Sequence, residues 1–525
     1  MQLLKKLAWL FIIPIIQLNA QTEYIDVRCD QFQDTSTAFM QGFINGGAGY
    51  NIQLTQQLKP EFWGFGWDVV ADYDYAVPNM NLVKMISIYS AYLSYFGIGD
   101  PMLLQPWTSG YVQWDAFVAG LVNQSISTGR PVDYWSVWGE PDASFSGTPA
   151  QYIELFRRTD SIVHSIDPAA KMVGPDFITF GIPKLMFFID TLDQLGIHPA
   201  ALSWHEFGSN PADVYDHVSQ FRDSLAARPQ MGNPEIHVQE YGDPGNRLIP
   251  GWCLGWLYYF EKSKIDWASR ACFNESDGTS TWDDCWDGLS GMYMQDGETT
   301  QPIYWLYRAY AGLNRSGRLM VDPSQSNTVA LAGRNDASQE VMIVAGRFYS
   351  QLQGSPNAPA NVEIRIHDYP YANNGSLPVL IQKIPAQTVS YSVPLSAPVN
   401  VSGGMLNIAG DSALITLNSF ADGDAYIIYI NPDPGTVLSV ESSAKESGLQ
   451  VYPNPAASFV RLVAPDAGIR SVSIINSQGK IVARDIPSPG AEVIISTEKY
   501  ANGIYFVNVA DDEGRYFSRK IVVAH

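Results

Sequence analysis

The sequence predicts a (β/α)8 barrel followed by an antiparallel β-sandwich and a second, small β-sandwich at the C-terminus. Three observations carry this reading. From about Tyr24 to Gly312, short apolar runs alternate with helix-length amphipathic segments, the βαβα pattern of a parallel sheet. From Asp133 on, those runs begin at intervals of about 30–40 residues, the spacing of barrel repeats. Beyond Gln301–Tyr310, which reads as the closing helix with Pro302 in its first turn, the pattern changes to period two, broken by Gly, Pro and Asn. No glycine-rich phosphate loop follows any strand, which sets a doubly wound nucleotide-binding sheet aside.

The barrel strands are expected at Phe62–Trp67, Met102–Gln105, Asp133–Trp138, Lys171–Gly174, Ala201–His205, Glu235–Gln239 and Ile265–Phe273, with one more between Tyr24 and Tyr50. Helices are expected at Asn81–Phe96, Trp114–Thr128, Ala150–Ile166, Lys184–Leu195 and Ala212–Ala227. These elements give a barrel over residues 21–314, a β-sandwich over 315–434, a Pro/Ser/Gly-rich linker over 435–448 and a terminal domain over 449–525.

Composition bounds the function. Residues 1–20 have a basic start, an apolar stretch from Leu7 to Ile16 and a small-residue cleavage site at Leu18-Asn19-Ala20, the pattern of a signal peptide. No later stretch is long and apolar enough to span a membrane. The net charge of −21 speaks against nucleic acid or an anionic membrane as partner. Of the four cysteines, Cys29, Cys253, Cys272 and Cys285, the last two bracket a loop of small and polar residues. That makes them the first candidates for a disulfide bond, buried free thiols being the alternative. The histidines lack ligand spacing, so neither a metal nor another cofactor is expected.

The chemistry is concentrated in two stretches. Tyr134-Trp135-Ser136-Val137-Trp138-Gly139-Glu140-Pro141-Asp142 reads as a buried strand running into a carboxylate, and Glu235-Ile236-His237-Val238-Gln239-Glu240-Tyr241 repeats the design. All strands of such a barrel end at one mouth. Glu140 then ends the fourth strand and Glu240 the seventh, facing each other across that mouth. Two opposed carboxylates are the equipment for cleaving a glycosidic bond: one protonates the leaving oxygen, and the other attacks the anomeric carbon or activates water. Taken singly, such a glutamate reads first as a strand-end carboxylate solvated by water or held by an arginine, and the pair is what points to chemistry.

Other mouth residues follow by position. His205, ending the sixth strand, is a candidate to bond the nucleophile or sugar, with a core histidine as the alternative; Glu206 is the reserve carboxylate. Tyr241 either orients Glu240 or packs. Trp67, Asp68, Trp107, Gly139 and Trp286 complete the candidate substrate-binding set, with Trp267 and Trp282 as further aromatics for stacking on sugar C–H faces.

The strand-four Trp-x-Glu-Pro and strand-seven Glu-Tyr resemble the retaining glycoside hydrolases of clan A. Tyr134-Trp135-x-x-Trp138-x-Glu140-Pro141-Asp142 and the Gln301-Pro302-x-Tyr304-Trp305 helix look most like glycoside hydrolase family 39. The resemblance implies Glu140 as general acid/base and Glu240 as nucleophile in a double displacement on β-glycosidic bonds. Two positions depart from it: Gly139 stands where the clan usually has Asn, and Gly64-Phe65-Gly66-Trp67 replaces an Arg-x-His.

The terminal segment, with Val451-Tyr452-Pro453-Asn454-Pro455, Ile474-Ile475-Asn476-Ser477-Gln478-Gly479-Lys480, Asn502-Gly503-Ile504-Tyr505-Phe506 and Arg519-Lys520-Ile521-Val522-Val523, resembles the C-terminal sorting domain of the type IX secretion system of Bacteroidota. This implies export by that machinery to the cell surface or medium. The combined expectation is a secreted hydrolase of a plant or algal polysaccharide or its oligosaccharides. Its rivals are a non-catalytic glycan-binding protein on a degenerate barrel and an adhesin working through the sandwich.

Overall fold

A computed structural model gives the fold over residues 22–33, 40–47, 49–66, 69–99, 104–207, 210–242, 246–271, 288–294, 296–313, 317–349, 356–386, 394–432, 437–438, 450–463, 468–476, 481–490, 492–511 and 516–525. The signal peptide, Trp67, Asp68, Trp282, Trp286 and the Cys272/Cys285 pair lie outside the described residues.

The first strand, β1 (Glu23–Phe32), does not belong to the barrel. The closed barrel is formed by β2 (Gly42–Ile44), β3 (Phe62–Phe65), β4 (Val83–Ser87), β5 (Tyr134–Ser136), β6 (Lys171–Phe177), β7 (Ala201–Glu206), β8 (Glu235–Tyr241) and β9 (Trp267–Arg270), each parallel to the next, with β9 closing on β2. Around it run α1 (Ile52–Gln57), α2 (Val69–Ala76), α3 (Ile88–Phe96), α4 (Val112–Ser127), the one-turn α5 (Pro141–Ser144), α6 (Pro149–Ile166), α7 (Ile182–Gln194), α8 (Asp213–Ala226), α9 (Pro250–Ser263) and α10 (Pro302–Gly312).

Local chemistry sets the breaks. Thr148 and Gln151 form a reciprocal capping box ahead of α6, with Pro149 at its first position. The third barrel strand is Val83–Ser87, inside the segment expected to be one helix from Asn81. Ser87 both ends that strand and caps α3 by accepting the Ser90 N–H, so strand and helix meet with no loop between them and the junction is hidden. Leu104 and Gln105 pair with no strand and enter a 3-10 turn at Pro106–Ser109. The count of strands is unchanged by this exchange, and Glu140 and Glu240 keep their places on the fourth and seventh.

The sandwich has two sheets. One is ordered β10 (Leu319–Pro323), β1, β13 (Ala360–His367), β16 (Ala413–Phe420); the other β11 (Thr328–Asn335), β12 (Glu340–Arg347), β17 (Ala425–Ile430), β14 (Gly375–Ile384), β15 (Val399–Ile408). β1 runs antiparallel to β10 and parallel to β13, burying Ile25, Val27 and Cys29 between the sheets. The unit expected at 315–434 therefore includes the N-terminal strand.

Barrel and sandwich share a core: the face of α9 packs on β12, where Gly251 lets the Arg347 carbonyl approach to a distance at which a Cβ would sit 2.2 Å away. Beside it the buried Glu261 carboxylate takes two Arg318 N–H bonds, at 3.1 and 2.7 Å, and the Tyr310 hydroxyl. The terminal domain consists of a three-stranded sheet, β18 (Gln450–Tyr452), β19 (Phe459–Val463), β22 (Glu492–Ser496), and a four-stranded one ordered β21 (Ile481–Gly490), β20 (Ile469–Asn476), β23 (Gly503–Asp511), β24 (Tyr516–Val523), around a core of its own. Among the described residues no helix is long and apolar enough to cross a membrane. Cys29 and Cys253 are buried free thiols.

Candidate active site

Glu140 sits just past β5 with φ 56° and ψ 52°, a left-handed conformation that costs a non-glycine residue about 1–3 kcal/mol. Its surroundings impose this turn. Its N–H bonds the Asp176 carbonyl at 2.8 Å, Pro141 starts α5, and the Ser144 hydroxyl bonds the Gly139 and Glu140 carbonyls while accepting the Trp138 indole N–H at 2.9 Å. Asp142 ties the next strand in by accepting the Ile178 N–H and the Lys184 ammonium.

Opposite, β8 slips in its ladder to β9 between Val238 and Tyr241. His237 packs inside the barrel against the rings of Phe62 and Tyr134, and Glu240, of opposite parity in the strand, also points inward. A bulge re-aims the side chains after it, which reconciles the two. Tyr241 consequently faces the helix layer, its ring against Phe260 and Trp256 and its hydroxyl 2.6 Å from that of Tyr307, so it packs behind Glu240.

Between the glutamates stands His205, 2% exposed, with Nδ1 3.1 Å from Oε1 of Glu140 and 3.9 Å from Oε2 of Glu240. Oxygens of the two carboxylates and the imidazole nitrogen all lie within 4.8 Å of one another. Two carboxylates and an imidazole are also donors for a cation, though three are fewer than the six to eight oxygens of a calcium site. Burial pushes the Glu240 carboxyl up to about 8, with the charges of Glu140 and Asp176 adding and His205 opposing. Burial disfavours the His205 imidazolium, yet Glu240, Glu140 and Asp176 outweigh it and hold the ring up to about 9. Near neutral pH the site therefore holds a proton on His205 and one more beside two close carboxylates, as like charges at this spacing demand. The two glutamates share that proton as a pair, and a double displacement needs it on Glu140 when Glu240 attacks.

Glu206 points the other way, fully buried, accepting the Trp204 indole N–H at 2.7 Å and facing His217 Nδ1 at 3.0 Å; it anchors β7 to α8 and is not a mouth carboxylate. Trp107 is half-buried and meets Phe145 edge-on at 4.8 Å, and Phe145 in turn meets Trp138, extending an aromatic wall from the Glu140 loop. Trp267 stacks on Phe62 at the opposite, N-terminal end of the barrel, beside Tyr134, Lys171 and Glu235, and so is not a mouth aromatic. At Gly139 a Cβ would meet the Tyr89 ring at an ordinary van der Waals distance of 3.7 Å, so a side chain there is not excluded. At Gly66 a Cβ would come within 2.7 Å of the Ser90 Cβ and 2.8 Å of Asn45 Oδ1, so a side chain there would have to displace them.

Sequence reasoning missed Asp176. It is the bulged residue of β6, absent from the ladder to β7 between Pro175 and Phe177, and is 1% exposed. Its two carboxylate oxygens accept the hydroxyls of Ser136 and Ser203. The signal was a carboxylate after Gly174-Pro175 in a buried run, the same design as the two glutamate stretches.

Comparison with known proteins bears on the fold and on the C-terminal domain. Residues 450–524 match the secretion system C-terminal sorting domain family, which marks the protein for type IX secretion to the cell surface or exterior. Over 310 residues the chain is 19% identical to a 3-O-α-D-galactosyl-α-L-arabinofuranosidase of Bifidobacterium longum subsp. longum, covering 55% of this chain and 25% of that protein. The chain thus spans about a quarter of that relative's length. Among solved structures, the protein N2152 from Neocallimastix frontalis superposes with a TM-score of 0.63 at 18% identity over 78% of this chain and 99% of the other. A glycoside hydrolase family 39 enzyme from Xanthomonas axonopodis pv. citri gives 0.55 at 13% identity over 78% and 98%. The fold is that of glycoside hydrolases, and the distant sequence relatives are glycosidases.

Proposed function

We propose that the protein is an exported retaining glycoside hydrolase acting on a plant or algal polysaccharide or its oligosaccharides. The observation that carries this reading is the approach of the Glu140 and Glu240 carboxylates to within 4.8 Å. Retaining enzymes hold their two carboxyl groups about 5–5.5 Å apart, whereas inverting ones leave about 6.5–9.5 Å for a water. In the proposed cycle Glu240 attacks the anomeric carbon and forms a covalent glycosyl ester while Glu140 gives its proton to the departing oxygen. Glu140 then takes a proton from water, whose oxygen attacks the anomeric carbon, breaks its bond to Glu240 and frees that carboxylate. His205, bonded to Glu140 and facing Glu240, holds both in place.

The likeness to a 3-O-α-D-galactosyl-α-L-arabinofuranosidase supports branched arabinose-bearing glycans as the first substrates to try. The missing side chain at Gly139, where the clan's usual Asn would stand, supports a sugar held differently or substituted next to its anomeric carbon. Incubation of the purified protein with a panel of β-xylans, β-glucans and arabinose-bearing glycans tests the proposal. Release of sugar by the intact protein and none by Glu240→Ala supports it; binding with no release from any glycan supports the non-catalytic rival instead.

A further inference from the structure

Asn45 follows β2 at the mouth end of the barrel, with φ 53° in the left-handed region and 4% of its surface exposed. Its N–H bonds the Gly64 carbonyl at 2.7 Å, and the carbonyl before it, of Ile44, takes the Gly288 N–H at 2.7 Å, so the backbone is pinned on both sides. Ile44 lies beside Gly64 inside the barrel, and strand alternation would turn the next side chain outward. The left-handed turn instead lays the Asn45 carboxamide over Gly66, on the inner face that Gly66 shares with Phe62; a Cβ at Gly66 would sit 2.8 Å from Oδ1. Oδ1 is sealed from solvent with no hydrogen-bond partner, and Nδ2 donates to none of the described residues. Buried amides are nearly always paired, so one held rigidly at the mouth without a partner points to a ligand that supplies it.

We propose that Asn45 is a specificity-determining residue of the mouth, whose carboxamide bonds a hydroxyl on the edge of the sugar away from its anomeric carbon. The inference rests on the carbohydrate reading of the mouth and adds what selects the sugar. In the closed ring β2 stands three strands from β5 and three from β7, so Asn45 lies across the mouth from the Glu140–His205 pair. A sugar whose anomeric carbon sits at the glutamates turns its far edge toward β2. A hydroxyl both donates and accepts, and a carboxamide offers the same two functions, so one hydroxyl can take the Nδ2 proton or give its own to Oδ1. The pinned backbone holds that group in place before the sugar arrives. An epimer with the hydroxyl inverted, or an analogue lacking it, leaves the amide unpaired and binds less well.

Asn45→Gly in the full-length protein removes the carboxamide and keeps the left-handed turn, which glycine adopts without strain. Binding is read by saturation-transfer NMR with the methyl glycosides of xylose, arabinose, galactose and glucose, each beside its monodeoxy derivatives. The tightest-bound glycoside should weaken about fivefold to tenfold in Asn45→Gly, the worth of one hydrogen bond between neutral groups. One of its monodeoxy derivatives, altered away from the anomeric carbon, should bind the wild type about that weakly and lose nothing more in the variant, while the other derivatives lose as much as the parent. Equal binding to wild type and variant, or a loss shared by every derivative, is what a merely structural Asn45 gives and overturns the proposal. The measurement needs no turnover and works equally on a Glu240→Ala background. The expected pattern, with no cleavage of any glycan by the intact protein, would refute the hydrolase reading and leave the Asn45 contact standing. Cleavage by the intact protein, with binding unchanged in Asn45→Gly, would do the reverse.

Discussion

His205 Nδ1 lies 3.1 Å from Oε1 of Glu140, and the pair spans neighbouring quarters of the barrel mouth with the imidazole nearly sealed from solvent. This contact turns two separate strand-end glutamates into one ionising unit, because the same nitrogen also faces Glu240 at 3.9 Å. The consequences are measurable.

Removal of Glu240 should abolish turnover with folding intact, since its side chain is 16% exposed and bonds no structural partner in the described contacts. Nucleophile loss in concerted sites lowers kcat by about 10⁴-fold or more. Glu240→Ala should keep its Tm within a few degrees, checked by calorimetry beside the assay. Hydrolysis near the wild-type rate would refute its role.

Glu140→Ala should slow substrates with poor leaving groups most, because only they need a proton in the first step. Azide should restore part of the rate on activated substrates by entering the space left and yielding a glycosyl azide. Equal losses on good and poor leaving groups, with no azide product, would argue against the acid/base role.

Stability should fall as pH rises from about 5 to 9. His205 and Glu240 bind protons more tightly folded than unfolded, at about 9 against 6.5 and about 8 against 4.5. The folded state therefore holds the extra protons in that window, and unfolding becomes easier as they leave. The Glu240 contribution is whole below its ordinary value and lost through about 8; that of His205 is whole below 6.5 and lost through about 9. His205→Gln should flatten the upper part of a Tm–pH curve, and an unchanged slope would contradict the assignment.

The fold was legible where pattern and burial agree. The glutamate pair, His205 and the barrel count followed from apolar runs ending on charged residues. What stayed hidden has physical causes. Val83–Ser87 passes into α3 with no loop between them, so periodicity merges strand and helix. β1 alternates Ile25, Val27 and Cys29 with polar residues, the signature of a half-exposed antiparallel sheet, but chain order places it beside the barrel. The bulges in β6 and β8 decide which way Asp176 and Glu240 point, and a bulge leaves no mark in periodicity. The direction of Glu206 and Tyr241 is fixed by the same local shifts.

The barrel–sandwich contact should depend on the Glu261–Arg318 pair, whose side chains are both 3% exposed. Arg318→Met leaves a buried carboxylate without its cation, a loss of about 3–5 kcal/mol. Denaturant unfolding reads this directly, and a change below about 1 kcal/mol would show that the Tyr310 hydroxyl alone suffices.

The most direct test of the central claim is the anomeric configuration of the first product, followed by proton NMR from the moment the full-length protein meets a glycan it cleaves. Carboxylates within 4.8 Å predict a first product with the configuration of the substrate, mutarotating only later. A first product of inverted configuration would contradict the covalent step through Glu240.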